Sequence, residues 1–525
     1  MKKRFLAMVL AASMVFSLAA CGGDSGSAQG GDSSAADSGS EGGSDADAGS
    51  GNGAGSDEAG EPVKLVMAFR TSGSIPSEAD IDRIEEAVNQ ITREKINAEI
   101  ELLIIQNSSY VQQMTLMLSG SEQLDIMGAT SPMMASTVGS EQIRDLGELL
   151  DTYGQGIKEV LGEDVLSCGR FEGTQYFIPP ICDIVLGMGY YTMRKDIVDK
   201  YNIDLSQVKT YEDLTEVFQI VHDNEPNMNV VGTNGAGTSP MQYNVAWDKL
   251  GNYFGVLDDR GQGELKVVNL FETENYRKYV DTMHEWYTKG FISQDITNAT
   301  ESGAAQMKAG TLFAYCNSNK PGIDTQEAMN TGCEVVGCQV LDSILSTGNN
   351  WQWTIPENSV DPVKAMQFLN LLYTDADLLN IIVYGIEGTD YVMHEDGRIG
   401  YPEGIDATNV GYSLSPMLWS FGNEFNAHVW ETNDPDVWEQ TKEWNKTGVK
   451  SKAYGFVFNT APVSNEIAAV QNVYDQYKMS LECGVVDPEE TLKEMNEQLY
   501  AAGLQAIIDE KQAQLDKWAA ENGVN

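Results

Sequence analysis

From residue 62 to residue 129 the sequence alternates between strand and helix patterns, and this order constrains the fold more than any other feature. Residues 63–69, 98–105 and 124–129 are mostly apolar runs of strand length. Residues 110–118 and an earlier segment with Asp80 as its N-cap predict two helices, the earlier one with an apolar face of Ile81, Ile84, Val88 and Ile91. A β-α-β-α-β order implies parallel strands joined by helical crossovers, and therefore an α/β lobe.

The carboxyl ends of these strands are the predicted ligand-facing edge. In open α/β sheets, ligands bind in the crevice outside the carboxyl ends of the strands. Here that rule points to Arg70, Gln106 and residues 128–131.

The N-terminus predicts export. Lys2, Lys3 and Arg4 precede an apolar run over residues 5–20, which is typical of a secretory signal peptide spanning residues 1–20. Residues 18–21, Leu-Ala-Ala-Cys, are similar to the bacterial lipobox, in which the cysteine (here Cys21) carries lipid and becomes the mature N-terminus. The alternative is an uncleaved membrane helix, but about 16 apolar residues are few for a span.

A low-complexity tract follows the signal. Residues 22–61 are mostly Gly, Ser, Ala, Asp and Glu, with no Lys, Arg or aromatic residue. Such a segment cannot bury enough apolar surface to offset the entropy of ordering. We therefore predict that residues 21–61 form a lipidated, disordered linker that spans roughly 30–40 Å and holds a globular body clear of a membrane.

Charge excludes several partners. The formal net charge is −45, and loss of the three cations of the signal peptide makes it about −48 (−45 − 3). Nucleic acids and anionic headgroups require clustered Lys and Arg, so neither is an expected partner. The roughly 460 residues after the linker are too many for one core and suit two lobes.

The cysteines leave two alternatives open. Six remain besides the lipidated one, and an even number outside the cytosol permits disulfides. Buried free thiols are equally compatible with the sequence. The set is Cys168, Cys182, Cys316, Cys333, Cys338 and Cys483.

A search for catalytic motifs finds none. The four histidines form no H-E-x-x-H pair, and the chain lacks a G-x-S-x-G elbow, a P-loop and a strand-linked G-x-G-x-x-G. Residues 258–263 are rich in Asp and Gly but fail the EF-hand spacing, so a loop between strands is the favoured interpretation. We predict no catalytic residue, no metal site and no cofactor.

Four tryptophans lie in loop-like stretches beside amide and carboxylate groups. A sugar ring offers an apolar C–H face and a rim of hydroxyls, which such surroundings suit. The alternative is that each indole fills the core of its lobe. The tryptophans are Trp247, Trp351, Trp353 and Trp419, with neighbours Asn244, Asp248, Asn349, Asn350, Asn423 and Glu424.

Several segments are together similar to family 1 extracellular solute-binding proteins, the receptors of ABC importers for sugars and related solutes. They cover residues 110–127, 191–204, 210–214, 267–274 and 284–292. Four further segments resemble the lipoprotein LipO-type subgroup, the last two its C-terminal domain: residues 368–375, 384–392, 455–463 and 507–515. The resemblance spans about residues 62–520, but residues 341–353 carry no ligand-specific motif.

The resemblance implies a two-lobe α/β fold of the periplasmic-binding-protein kind, type II-like, with a ligand cleft between lobes joined by two or three hinge strands. Hinge closure on the ligand would then present one shape to the permease. We expect residues 62–180 and about 296–355 in lobe 1. Residues 181–295 and 356–525, including a helical C-terminal domain, are expected in lobe 2.

Nine residues are predicted to contact the ligand. Trp351 and Trp353 are expected near the lobe crossover, Trp247 and Trp419 on lobe 2, and Arg70 with Asp125 on lobe 1. Replacing Trp351 with Ala should then weaken binding with little change in melting temperature. The remaining three, from family segments near the cleft and from side-chain chemistry, are Tyr384, Glu387 and Asn423.

The function that this implies is a membrane-tethered, monomeric receptor that delivers an oligosaccharide or glycan fragment to an ABC permease from the outer face of the cell membrane. A surface hydrolase of glycans or peptides is one alternative, although no acid–base pair or metal site stands out. A sensor or adhesion lipoprotein with the same fold is another.

Overall fold

The computed structural model describes residues 60–120, 122–345 and 351–524, without the side chains of Ser131 and Pro132. The predicted signal peptide, Cys21 and nearly all of the predicted linker lie outside the described residues. Within the described ranges, no helix is both long and apolar enough to cross a membrane.

The first segment contains the predicted β-α-β-α-β unit. Strand β1 pairs in parallel with both β2 and β3, which confirms the parallel arrangement. The first helix starts earlier than predicted, because its N-cap is Ser77, whose hydroxyl accepts from the backbone N–H of Asp80. The elements are β1 (Val63–Thr71), α1 (Glu78–Ile96), β2 (Ala98–Gln106), α2 (Asn107–Ser119), β3 (Ile126–Ala129), α3 (Ser131–Gly139), α4 (Gly147–Tyr153), α5 (Gln155–Ser167), β4 (Arg170–Phe171) and β5 (Thr174–Gln175).

The second segment builds a separate, mixed sheet. Strand β6 is antiparallel to β8, β9 and β10, and β8 pairs in parallel with β7. The elements are β6 (Val185–Arg194), α6 (Lys195–Lys200), α7 (Tyr211–Asn224), β7 (Asn229–Gly232), α8 (Glu274–Thr288), α9 (Gly303–Lys308), β8 (Leu312–Asn319), α10 (Ile323–Thr331), β9 (Val335–Gln339) and β10 (Ile344–Leu345).

The third segment returns to the first sheet. Strand β11 pairs antiparallel with β3, so the first sheet has the order β11-β3-β1-β2. Three long C-terminal helices follow, which confirms the predicted helical C-terminus. The elements are β11 (Gln352–Thr354), α11 (Pro362–Thr374), α12 (Ala376–Tyr384), β12 (Val392–Met393), β13 (Ile399–Gly400), α13 (Val437–Trp444), α14 (Ser464–Glu482), α15 (Pro488–Ala501) and α16 (Leu504–Asn522).

Two large hydrophobic cores surround the two sheets. The first is built from residues between 65 and 181 and between 351 and 427. The second uses residues between 188 and 338 and between 453 and 515. The chain therefore forms two α/β lobes, as expected, each assembled from separated stretches of sequence.

The strand pairings depart from the expected division of the chain between these lobes. We expected residues 296–355 in lobe 1, but β8 lies between β6 and β7 in the second sheet. We expected residues 356–525 in lobe 2, but α11 and α12 pack in the first core. The physical reason is that an apolar strand or helix pattern is compatible with either core, and only long-range packing selects the partner.

Three segments of the chain pass from one core to the other and hydrogen-bond to one another. In chain order, these crossings lie near residues 182–186, near Ile344 and near residues 445–449. The first crossing bonds to the third through Asn445, whose amide accepts from the N–H of Ile184 at 3.1 Å and donates to the carbonyl of Cys182 at 2.7 Å. The second crossing pairs Ile344 with Leu186 and with Val449. These contacts agree with the expected two or three hinge strands.

The C-terminal helices are attached to the second core by buried polar groups. The carboxylate of Glu482 accepts from the hydroxyls of Ser239, Tyr276 and Tyr474. The ammonium of Lys511 donates to the carbonyl of Gly255 at 2.7 Å, and burial lowers the pKa of Lys511 to about 7. Through Ser239 and Gly255, these groups fix the helices to loops that lie far earlier in the sequence.

The six cysteines named above are all free thiols in the structure. Five are buried, and Cys333 is partly exposed. The structure thus selects the free-thiol alternative over disulfides. Burial raises the pKa of Cys316 to about 12, which keeps that thiol in its unreactive neutral form.

Candidate functional site

The carboxyl ends of the first sheet meet at one edge, as the sequence predicted. In the strand register Arg70 lies beside Ile105, and Thr71 beside Gln106. The antiparallel strand β11 begins at the same edge, because Gln352 pairs with Ala129. We call the side chains gathered here the carboxyl-edge cluster, which comprises Arg70, Asn107, Thr130, Trp351 and Trp419.

Arg70 is the centre of the carboxyl-edge cluster. Its guanidinium carbon lies 5.1 Å from the ring centre of Trp351 and 5.7 Å from that of Trp419. Both distances are within the range of a cation–π contact. One terminal nitrogen, Nη1, donates to the amide oxygen of Asn107 at 2.9 Å. Burial of the guanidinium lowers the pKa of Arg70.

Trp351 is held by close packing. Its indole lies against the backbone of Gly128, where a β-carbon would overlap the ring. Tyr110 packs 5.2 Å away, centre to centre, and its hydroxyl donates to the carbonyl of Gly128 at 2.6 Å. Trp351 has no exposed surface. It therefore supports Arg70 from inside the first core. Trp419 is only partly buried, and it packs against the first core and not on lobe 2 as expected, because its segment follows α11 and α12 into that core.

The carboxyl-edge cluster lies where the two cores approach each other. Helix α3 starts directly after Thr130 and contacts residues Ala461–Val463, which belong to the second-core part of the chain. The site thus combines a partly exposed indole, a cation and side-chain amides at the boundary between the cores. Stacking on an aromatic face with hydrogen bonds at the rim is the chemistry that a sugar ring requires.

Two other predicted tryptophans lie inside the cores. Trp353 is fully buried on β11, and its indole N–H donates to the carbonyl of Ser420 at 2.9 Å. Trp247 is 1% exposed and packs 6.2 Å from Tyr276 in the second core. For these two, the packing alternative describes the observed environment.

Asp125 lies at the opposite edge of the first sheet. It precedes β3, and its carboxylate accepts from the backbone N–H groups of Val66 at 2.8 Å and Val360 at 2.7 Å, and from the Ser359 hydroxyl at 2.8 Å. The structure therefore does not bring Asp125 to the carboxyl-edge cluster. Its contacts fix the loop before α11 to the sheet.

The contacts given for the remaining three predicted residues are with residues outside the cluster. Tyr384 ends α12, and its hydroxyl donates to the carbonyl of His428 at 3.1 Å. Glu387 is exposed in the turn that follows. Asn423 bridges to Ile181 at the first crossing and caps a short turn by accepting from the N–H of Phe425. Ligand contact by these three stays a prediction.

A partly buried ionic group at the first crossing was missed by the sequence reasoning. The ammonium of Lys320 lies 2.9 Å from the carboxylate of Asp183. Glu424 is 8% exposed, and its pKa is raised to about 8 by burial and by the nearby Asp183 carboxylate. Ligand atoms of Cys182, Asp183 and Glu424 lie within 4.8 Å of one another, so they could hold a cation, but the Lys320 ammonium already neutralises Asp183.

A cavity that the sequence also did not predict lies between the β4–β5 hairpin and the C-terminal helix α16. This cavity has a volume of about 260 Å³ and is lined in part by Arg170, Lys450, Tyr454, Phe456 and Trp518. These residues carry aromatic and charged groups, but none was predicted, because the two sides of the cavity are far apart in the sequence. The carboxyl-end rule could have found Asn107, which directly follows β2.

Comparison with known proteins decides the family. A family model described as "Bacterial extracellular solute-binding protein" matches residues 76–377. The chain belongs to this family. The match begins after β1 and runs from α1 through the first crossing and the second sheet to the return to the first core, so it includes strands of both sheets of this solute-binding protein.

Similar proteins match most of the length of this family member. A carbohydrate ABC transporter substrate-binding protein of Streptococcus pneumoniae is 24% identical over 87% of the chain and 91% of the relative. The crystal structure of the N-glycan transport solute-binding protein NgtS from the same species has a TM-score of 0.76 at 23% identity, covering 88% and 100% of the two chains. A solute-binding protein associated with an HMO-binding ABC transporter of Bifidobacterium longum infantis has a TM-score of 0.62 at 14% identity, covering 87% and 99%.

The C-terminal helices match a second, separate family model. A domain of unknown function (DUF3502) matches residues 452–520, which contain α14, α15 and most of α16. This is the region in which the sequence resemblance implied a C-terminal domain. In the structure it is part of the second core of the solute-binding protein.

Proposed function

We propose that this protein is a receptor that captures an oligosaccharide between its two lobes and delivers it unchanged to an ABC importer. The single observation that carries the proposal is the carboxyl-edge cluster, in which Arg70 lies against the indoles of Trp351 and Trp419 at the boundary between the cores. Amide and guanidinium groups beside an accessible aromatic face suit the hydroxyl rim and C–H face of a sugar.

The relatives support the saccharide class. NgtS has been crystallised with Man1GlcNAc and with Man5GlcNAc, and the similar streptococcal protein is named for carbohydrate transport. A binding role also agrees with the cluster itself, in which none of the five side chains is a carboxylate that could act as a general acid or base. We therefore place this chain among the receptors and not among the glycan hydrolases.

Lobe closure is the proposed means of delivery. Three crossing segments that hydrogen-bond to each other form a compact connection about which two lobes can rotate. A ligand that contacts both lobes stabilises the closed state only as far as its affinity for the closed state exceeds that for the open one. The permease of the importer is proposed to recognise the closed state. The receptor is proposed to act as a monomer.

The proposed location is the outer face of the cell membrane, with lipid on Cys21 and residues 22–61 as the tether. The test replaces Cys21 with Ser in the producing bacterium and follows the protein after cell fractionation. We expect the unchanged protein in the membrane fraction and C21S in the soluble fraction or the medium. Equal membrane association of both proteins would contradict the lipid anchor.

Binding is tested by isothermal titration calorimetry with mannose- and N-acetylglucosamine-containing oligosaccharides, followed by mass spectrometry of the recovered sugar. We expect a saturable complex and an unaltered sugar. Trp419→Ala should weaken binding at least about ten-fold, a typical cost of losing one stacked aromatic contact. Trp518→Ala is the comparison variant, since Trp518 lines the separate cavity. Loss of binding only in Trp518→Ala would move the ligand to that cavity, and a cleaved sugar would contradict the receptor.

A further inference from the structure

Arg70 differs from the other arginines of the described chain in its ion pairing. Nine arginines lie within the described residues, and eight of them form an ion pair with Asp or Glu. Arg70 is the exception, and among the described residues no carboxylate lies within ion-pair distance of it. The eight paired arginines are Arg83, Arg93, Arg144, Arg170, Arg194, Arg260, Arg277 and Arg398.

This exception is not explained by a shortage of acids. The chain contains 78 Asp and Glu residues but only 33 Lys and Arg residues, so acidic residues outnumber the basic residues that could pair with them. Residues 346–350, which precede Trp351 and lie outside the described ranges, contain no acidic residue either. A guanidinium that loses part of its hydration without gaining a counter-charge costs stability. Proteins keep a charge of this kind at sites where it binds a ligand.

The hydrogen bonds of the cluster are also incomplete. Arg70 makes one side-chain hydrogen bond, to the neutral amide of Asn107. Three buried polar atoms of the cluster have no hydrogen-bond partner among the described residues: Nε of Arg70, Oγ1 of Thr130 and Nε1 of Trp351. Two of these are N–H donors, and Trp351 is fully buried. The cluster is therefore rich in donors and poor in acceptors.

The two indoles do not replace a counter-ion. A cation–π contact satisfies the faces of the guanidinium but leaves its edge, where the N–H groups point, available for in-plane hydrogen bonds. A carboxylate is the planar acceptor that matches this edge, because its two oxygens accept two parallel N–H bonds from one guanidinium. A sugar hydroxyl supplies neither the charge nor the paired oxygens.

We propose that the carboxyl-edge cluster recognises a carboxylate on the oligosaccharide, so that the preferred ligands are acidic glycans that contain a uronic acid or another carboxylated sugar. This inference rests on the proposed function and specifies the substrate class of the same site. Arg70 is the specificity-determining residue. Trp419 provides the stacking surface for the ring that carries the carboxylate.

The test compares matched pairs of oligosaccharides by isothermal titration calorimetry. In each pair the terminal hexose either keeps its CH₂OH group at C6 or carries a carboxylate there, and the panel includes pairs built on glucose, galactose and mannose. We expect the acidic member of at least one pair to bind about ten-fold tighter, the size of one charge-assisted hydrogen-bonded contact. Arg70→Gln should abolish the preference, and Arg70→Lys, which keeps the charge but not the planar edge, should retain part of it.

Arg144→Gln is the matched control, because Arg144 is a partly exposed arginine of the first lobe that is paired with Glu357 at 3.2 Å. The Arg144→Gln protein should prefer the acidic sugar as strongly as the unaltered protein does. Thermal melting of every variant confirms that it is folded before titration. Equal binding of acidic and neutral members by the unaltered protein, or an unchanged preference in Arg70→Gln, would overturn the inference and leave the oligosaccharide receptor intact. Binding of neither member in any pair would overturn both proposals.

Discussion

The indole of Trp351 lies directly against the backbone of Gly128, and a β-carbon at position 128 would overlap its six-membered ring. This contact joins the start of β11 to the centre of β3, two paired strands that are far apart in the sequence. The absence of a side chain at residue 128 therefore determines where the aromatic wall beside Arg70 can lie.

Gly128→Ala should displace Trp351 and destabilise the first lobe. Overpacking of a close-packed core typically costs about 1–3 kcal/mol. We expect a lower melting temperature, a changed tryptophan emission spectrum and weakened ligand binding. The control is Gly139→Ala at the end of α3, where nothing lies within 4 Å of an added β-carbon. A Gly128→Ala protein with the spectrum and stability of the control would contradict this packing.

Trp351→Ala should cost stability as well as affinity. The sequence alone predicted a nearly unchanged melting temperature, but Trp351 has no exposed surface, and truncating a buried tryptophan to alanine typically costs about 3–5 kcal/mol. Trp419→Ala should destabilise less, because Trp419 is only partly buried. Urea unfolding of both variants measures the difference. Equal losses of stability would show that the two indoles have the same structural role.

Lys320→Met should destabilise the connection between the lobes. It removes the cation beside Asp183 and leaves that carboxylate without a counter-charge. The Lys320 side chain is 35% exposed, so we expect a loss of about 1–3 kcal/mol, less than for a fully buried pair. Lys446→Met, which breaks an exposed pair with Glu443, should change stability by less than about 0.5 kcal/mol. The free energy of unfolding in urea distinguishes them.

Glu482 should make the stability of the folded protein depend on pH. Burial raises its pKa to about 7, although hydroxyls of Ser239, Tyr474 and Tyr276 donate to it and oppose the rise. Between pH 4.5 and pH 7 the folded state then binds more protons than the unfolded state. Its contribution to the free energy of unfolding therefore falls as pH rises through this window, by about 3 kcal/mol, and is constant above it.

Glu482→Gln should remove this contribution. Urea unfolding at pH 5 and pH 7.5 should show a smaller fall in stability with rising pH for the variant than for the unaltered protein. Glu497→Gln, at an exposed position on α15, serves as the control and should keep the original dependence. Identical pH dependences for the unaltered protein and Glu482→Gln would contradict a raised pKa of Glu482.

Local sequence patterns determined the elements of the first lobe and which residues lie at the carboxyl edge of its sheet. The alternation of strand and helix patterns over residues 62–129 is encoded by neighbouring residues, and parallel pairing follows from it. Arg70, Gln106 and residues 128–131 could therefore be assigned to one edge from the sequence alone. The same reasoning did not distinguish Trp419 from Trp353, because both lie in short irregular stretches and differ only in what packs against them.

Tertiary structure alone decided which segments share a core and which charges are paired. Strand β8 joined the second sheet and α11 the first core because each buried its apolar face against elements that lie far away in the sequence. The isolation of Arg70 from every described carboxylate was likewise decided by folding, since the sequence offers 78 acids and does not state where any of them lies. Periodicity is a property of neighbouring residues, whereas burial and ion pairing are properties of residues that only the folded chain brings together.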